Sequence, residues 1–229
     1  VPGGVTGTPH DLGPRTGRID QGACAFCHTP HMSGGEGQLW NVAQEPAAYL
    51  MFARSSADAV RGQPSGSSKL CLSCHDGLLA PSIRRAPGDT RTSVRLDPVR
   101  KGLGLDLSND HPISIPFPPG GYGMRRGLRP PESTASGLGG TVAKDRVDPD
   151  GNVQCTACHD PHDNANGNFL LLPEGDEIGC RACHAHLEFD LSVHATEPLP
   201  GHASGCAACH VVHGAAPGTP LLREPADRL

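Results

Sequence analysis

The chain has 229 residues, of which 36% are hydrophobic and 3% aromatic, and it carries 30 glycines, 23 prolines and ten cysteines. That much glycine and proline belongs to turns and extended chain, so a protein-built core of ordinary size is excluded. With 19 basic against 24 acidic residues and no basic stripe, nucleic acid is not implied as a partner, and no run of about 18 apolar residues marks a transmembrane segment.

The start, VPGGVTGTPHDLG, lacks a charged region followed by an apolar one, as expected of an exported chain whose signal peptide has been removed and equally of many cytosolic chains. His10 lies on this arm, which either folds back or reaches into another molecule. CAFCH follows at 24–28, with a further histidine at His31. A helix is predicted over Glu45 to Arg61, where EPAAYLMFARSSADAV places apolar residues near helical spacing after an acidic start and a proline. CLSCH occupies 71–75. Residues 76–154 read as turn, loop and short strand. Within them, DLSNDHPISIPF passes from a polar turn to an alternating run closed by prolines, a fixed loop that presents His111. DPDGN at 148–152 is a turn without the remainder of an EF-hand loop. CTACH at 155–159, CRACH at 180–184 and CAACH at 206–210 then follow in close tandem.

All ten cysteines therefore fall into five CxxCH pentapeptides: Cys24 and Cys27, Cys71 and Cys74, Cys155 and Cys158, Cys180 and Cys183, Cys206 and Cys209. Disulfides need no histidine at a fixed offset, and zinc sites that combine two CxxC pairs per metal are filled badly by an odd number of pairs. With 13 histidines in the chain, one would follow a given pair by chance about 6% of the time, so five in five is roughly one in a million. The pattern points to five covalently attached haem c groups. Two thiols at this spacing bond one edge of a porphyrin, and the next residue binds the iron from the proximal side, here His28, His75, His159, His184 and His210. Five haems leave too little protein to wrap each one separately, so the haems form much of the apolar interior. The expected fold is mostly irregular coil with short helices and minimal β, around a haem-filled core. Arg84, Arg85, Arg125 and Arg126 are candidates for pairing with haem propionates.

Eight histidines remain: His10, His31, His111, His162, His186, His194, His202 and His213. They suffice to give every iron a second axial imidazole, whereas three methionines cannot be the general rule. Saturated irons argue for an electron carrier and against an enzyme. His31, His162 and His213 each follow a motif histidine by three residues, in CHTPH, CHDPH and CHVVH. On so short a tether the second ring cannot cross to the opposite face of the same haem, and it reaches the iron of a neighbour instead. Residues 1–229 are read as one cofactor-filled body, with a four-haem part at 1–185 and a fifth-haem extension at 186–229 as the alternative.

HDLG at 10–13, CAFCHTPH at 24–31, LWN at 39–41, GSSKLCLSCHDG at 66–77, LSNDHPIS at 107–114 and VQCTACHDPHDNANGNFL at 153–170 together carry a resemblance. Over about residues 8–190 the chain resembles the doubled-CxxCH multihaem cytochromes c. It is especially similar to tetrahaem members of metal-reducing bacteria, some of which polymerise into extracellular filaments. The resemblance implies electron transfer through bis-histidine haems, outside the cell or at its surface, with the periplasm as the alternative. It also implies redox partner proteins or extracellular acceptors, and His10, His31, His111 and His162 as distal ligands of the four-haem part. In filament-forming relatives one axial histidine comes from the adjoining subunit, and His10 is the candidate for that role. CAACH at 206–210 departs from the four-haem pattern, with His213 or His194 as its expected distal ligand.

Overall fold

The computed structural model describes residues 4–16, 22–29, 39–42, 47–52, 62–77, 82–83, 92–93, 102–117, 127–195, 205–216, 219 and 221–224. Among them regular structure is sparse. Six short helices, α1 (Gly13–Thr16), α2 (Gly66–His75), α3 (Val142–Asp145), α4 (Ile178–Cys183), α5 (Leu187–Asp190) and α6 (Cys206–Cys209), alternate with single 3₁₀ turns and two-residue strands. Only α2, at ten residues, exceeds two turns. The strands pair two by two: β1 (Leu50–Met51) runs parallel to β4 (Asp106–Leu107), β2 (Ser82–Ile83) antiparallel to β3 (Thr92–Ser93), and β5 (Ile115–Pro116) antiparallel to β6 (Asn152–Val153). Mostly irregular chain with short helices and little sheet is what so much glycine and proline dictates.

The helix predicted over Glu45 to Arg61 is not formed where the structure describes it. Leu50 and Met51 are strand β1, while residues 45–46 and 53–61 lie outside the described residues. Two contacts distant in sequence override the local apolar spacing. The Leu50 amide donates to the Leu105 carbonyl at 2.9 Å. The Gln63 side chain holds Tyr49 from both sides, its Oε1 accepting the Tyr49 amide at 2.7 Å and its Nε2 donating to the Tyr49 carbonyl at 3.1 Å. Backbone groups satisfied in this way have no need of a helix.

Two small apolar clusters stand where a core would be. Leu12 packs on Phe26 beside Cys27, and Phe117, Val142 and Ala182 gather Leu128, Val147, Val153 and Cys183 around them. Of the five largest side chains that are fully buried, Phe26, Leu72, Val142, Ser68 and Ser136, two are serines. Ser68 explains itself: its hydroxyl accepts the Cys155 amide at 3.0 Å, and Ser67 meets Thr156 at 2.9 Å. Small hydroxyl side chains on this face of α2 let it lie against the 3₁₀ turn Cys155–Ala157, bringing the second CxxCH motif against the third.

The N-terminal arm folds back. The Thr8 amide donates to the Val5 carbonyl and the Asp11 amide to the Thr8 carbonyl, each at 3.0 Å, and Leu12 then seats on Phe26. His10 is thereby delivered into its own chain.

Candidate functional site

Each CxxCH motif is a single helical turn whose first cysteine carbonyl accepts the amide of the motif histidine in four cases: His28 at 2.9 Å, His159 at 3.0 Å, His184 at 2.8 Å and His210 at 2.9 Å. The same four share a second feature. A returning segment bridges the motif histidine, pairing His28 with Trp40, His159 with Leu170, His184 with Leu128 and His210 with Leu222. The residue after the bridge donates its amide to the second cysteine's carbonyl: Asn41 to Cys27, Leu171 to Cys158, Arg129 to Cys183 and Arg223 to Cys209. The residue before it has positive φ: Leu39 at 55°, Phe169 at 55°, Gly127 at 69° and Leu221 at 60°. Glycine adopts that conformation freely, whereas the three larger residues accept local strain to aim the return strand. The motif at 71–75 differs because α2 continues through it, and the Leu103 amide caps His75 at 2.8 Å.

The cysteines of successive motifs adjoin one another in sequence order. Cys71 hydrogen-bonds to Cys155, and Cys180 to Cys206, while Cys74 feels the charge of Cys27 and Cys180 that of Cys158. Burial pushes the Cys74 thiol up to about 12 and the Cys183 thiol up to about 11, and it also raises Cys27, Cys158, Cys180 and Cys206. In the Cys71–Cys155 pair the shared hydrogen bond lowers Cys155 and raises Cys71. Sites that disfavour thiolate suit sulfur in an uncharged thioether.

The histidines are brought together in pairs. The ring of His162 lies 6.1 Å from that of His28, His10 lies 6.0 Å from His75, His213 lies 6.3 Å from His159, and His111 lies 6.1 Å from His184. A metal–imidazole bond of about 2 Å, with about 1 Å more from nitrogen to ring centre, separates two rings on opposite sides of one metal by about 6 Å. Four of these rings hydrogen-bond through Nδ1 to oxygen: His10 to Pro161 O (3.4 Å), His111 to Pro112 O (3.1 Å), His159 to Asn168 O (3.0 Å) and His213 to Asp110 Oδ1 (3.0 Å), while His162 Nδ1 lies 3.2 Å from Asp160 Oδ1 as an ion-pair contact. An imidazole donating through Nδ1 carries its lone pair on Nε2, the tautomer a metal ligand requires. Burial, the largest influence on His111, holds it below the ordinary imidazole range and so neutral. Spacing and tautomer fit haem iron.

His186 also stands 5.9 Å from His184, nearly parallel to it, but only two residues along the chain. His213, expected with His194 as the alternative to serve the fifth motif's iron, lies nearest the ring of His159, and His10, the candidate for a subunit boundary, lies near His75 of its own chain. Of His194 only the backbone is described, in the 3₁₀ turn Val193–Ala195. His31, His202 and the arginines Arg84, Arg85, Arg125 and Arg126 lie outside the described residues.

Residues 149–189 match the family of the doubled CXXCH motif. The matched stretch contains the third and fourth motifs with His162 and His186. A comparison with curated proteins finds no match. The doubled motif is the arrangement of multihaem c-type cytochromes, and it supports covalently attached haem and electron transfer in general. Among the described residues no group of three or more His, Cys, Asp and Glu side chains is arranged to hold a metal ion, and no helix is long and apolar enough to cross a membrane.

Two residues escaped the sequence reading. Arg146 is 5% exposed, donates Nε to Ser136 O at 2.8 Å and Nη1 to Ala157 O at 2.7 Å, and buries Nη2 without an acceptor. It lies within electrostatic reach of Cys158, Cys180 and Cys183. A haem carboxylate has the chemistry this nitrogen lacks. Glu177 accepts the Cys206 amide on Oε1 at 3.1 Å, fixing the start of the fifth motif. A Cβ at Gly205 would stand 0.9 Å from that oxygen, on a backbone with φ of 68°. Gly205→Ala is therefore expected to displace the Glu177 carboxylate and impair loading of this motif. Intact mass spectrometry should find a species one haem short, and full loading would contradict the assignment.

Proposed function

We propose that this chain conducts electrons through a closely packed row of five bis-histidine c-type haems and works as a subunit of an extracellular filament. The observation that carries the reading is the set of four imidazole pairs at 6.0–6.3 Å, each joining a motif histidine to a histidine from elsewhere in the chain. When bound, haem supplies the one-electron chemistry, ferric to ferrous and back, at each position along the row. The chain's own residues set spacing, ligation and electrostatics. In this reading His28 and His162 hold one iron, His75 and His10 the second, His159 and His213 the third, and His184 and His111 the fourth. His111 is preferred to His186 because a two-residue tether cannot carry a ring around the haem edge from His184.

The first, third and fifth motifs support a ladder. His162, three residues after His159, reaches back to His28, and His213, three residues after His210, reaches back to His159. The last rung, His210, is exposed, and it is not among the described rings that have a second imidazole nearby. His31 holds the equivalent position on the first rung. In this reading a neighbouring copy supplies the fifth iron's second imidazole, with His31 as the candidate by sequence position, and continues the row. Repeating heterologous contacts of this kind generate an open polymer. In this reading His10 serves an iron within its own chain.

A monomeric shuttle at the cell surface or in the periplasm is the second reading, and it draws on that same inward placement of His10. Electron microscopy of the native, haem-loaded protein separates the two. Filaments are expected, and compact single particles even in concentrated preparations would leave the shuttle. Electron paramagnetic resonance of the oxidised protein tests the irons themselves: low-spin signals throughout are expected of a carrier, and a substantial high-spin signal would favour an enzyme with an open iron.

A further inference from the structure

The distal imidazoles differ in what their Nδ1 hydrogen meets. His10 and His111 donate to backbone carbonyls. His162 Nδ1 lies 3.2 Å from the carboxylate of Asp160 without being hydrogen-bonded to it, the two side chains are 66% and 42% exposed, and water screens that pair. His213, its own side chain 47% exposed, meets Asp110, whose side chain is 7% exposed, so on the carboxylate side this pair is shielded from water.

Asp110 is held from several directions. Its Oδ1 accepts both His213 Nδ1 at 3.0 Å and the Gly214 amide at 3.1 Å, and the Asn109 amide, turned to donate, lies 3.3 Å from Oδ2. The two strands of chain carrying the partners are locked together, with the His111 amide on Val212 O at 2.8 Å and the Ala215 amide on Asn109 O at 2.9 Å. The carboxylate therefore cannot swing away from the imidazole. The carboxylate is buried although the imidazole is half exposed, so the hydrogen bond is screened less than one between two exposed side chains.

We infer that Asp110 is a positioning and tuning residue that makes the third motif's haem the lowest in potential among the four whose ring pairs are described. The inference rests on the axial role given above to His213. A buried carboxylate drawing on Nδ1–H gives the imidazole more anionic character and makes it a more basic ligand. A more basic ligand favours ferric over ferrous iron, so the potential falls. Arg146 acts in the opposite sense, but it neighbours cysteines of both the third and fourth motifs, so it does not single out the third. The third motif lies in the middle of the row, and an electron entering from either end climbs to this position and descends from it. Passage through the subunit is then governed by one carboxylate.

The test is a spectroscopically monitored potentiometric titration of the haem-loaded full chain and of its Asp110→Asn, Asp160→Asn and His213→Ala variants. In Asp110→Asn one of five one-electron components is expected to move upward by about 59 mV, a tenfold change in its equilibrium. It should be the component perturbed by His213→Ala, with all irons still low-spin, and Asp160→Asn should move its own component less. Five unmoved components, a uniform shift of all five, or high-spin iron in Asp110→Asn would each overturn the tuning role. Failure of the axial reading is separately visible, as low-spin signals from every iron left unchanged in His213→Ala.

Discussion

Made without haem attachment, the chain is expected to remain unfolded, with a far-ultraviolet circular dichroism spectrum of coil and no dispersion of its amide resonances. The physical reason is the scale of the protein's own core. Leu12 with Phe26 and Phe117 with Val142 and Ala182 are the buried clusters among the described residues, and a fully buried side chain of this kind contributes about 1.5–3 kcal/mol. Ordering each residue's backbone costs about 1–2 kcal/mol, in a chain where long irregular stretches bring little apolar surface with them. The motif helices, at most the ten residues of α2, are below the length at which helices persist alone. On the proposed reading, porphyrin faces and iron–imidazole bonds supply the missing interior, so loading and folding are expected to be one event, as for small metal-organised domains. A cooperatively unfolding, well-dispersed apo chain would show that the protein core suffices.

Replacing single distal histidines is expected to act on single irons. His162→Ala should convert one of five irons from low to high spin and lower the melting temperature of the loaded protein. The second effect follows because His162, three residues from His159, ties the first motif to the third. His111→Ala should likewise expose one iron. His186→Ala should expose none, although its ring is as near to His184 as that of His111. The distinction is one of tether, since His111 arrives from a separate loop fixed by hydrogen bonds to Val212 and Pro112. Electron paramagnetic resonance of the three variants reads the outcome directly. Unchanged low-spin signals in His162→Ala, or high-spin iron in His186→Ala, would reverse the assignments.

What the sequence disclosed and what it concealed divide along physical lines. The CxxCH turns are local, and an irregular fold follows from glycine and proline content, so both could be read from residue order. The three-residue step from His159 to His162 and from His210 to His213 predicts that the second ring leaves its own motif, and residue order does not specify that these rings lie near His28 and His159. Destinations are long-range: His213, one of two residues expected to serve the fifth motif's iron, lies against His159, and His10, on an arm expected either to fold back or to reach another molecule, stacks on Phe169 at 4.0 Å. Leu50 and Met51 are strand because their partner lies more than fifty residues away, at Asp106 and Leu107, which helical spacing cannot register. Leu39, Phe169 and Leu221 hide their positive φ behind side chains that rarely adopt it. A usable signal was the recurrent distance from motif histidine to bridge, His28 to Trp40, His159 to Leu170 and His210 to Leu222. Asp110 stood beside His111 in the sequence, yet its partner is His213, about a hundred residues on. Arg146 carries no local mark at all, and its burial comes from contacts with Ser136 and Ala157 made after the chain has folded.

Cryo-electron microscopy of the native, haem-loaded protein at a resolution that separates axial ligands tests the central claim most directly. The expected map contains five haems per chain, with irons held by His28 and His162, His75 and His10, His159 and His213, His184 and His111, and His210 with the next copy's His31. Fewer than five haems, or an interior iron with one face open, would contradict the row of bis-histidine haems on which the proposed conduction depends.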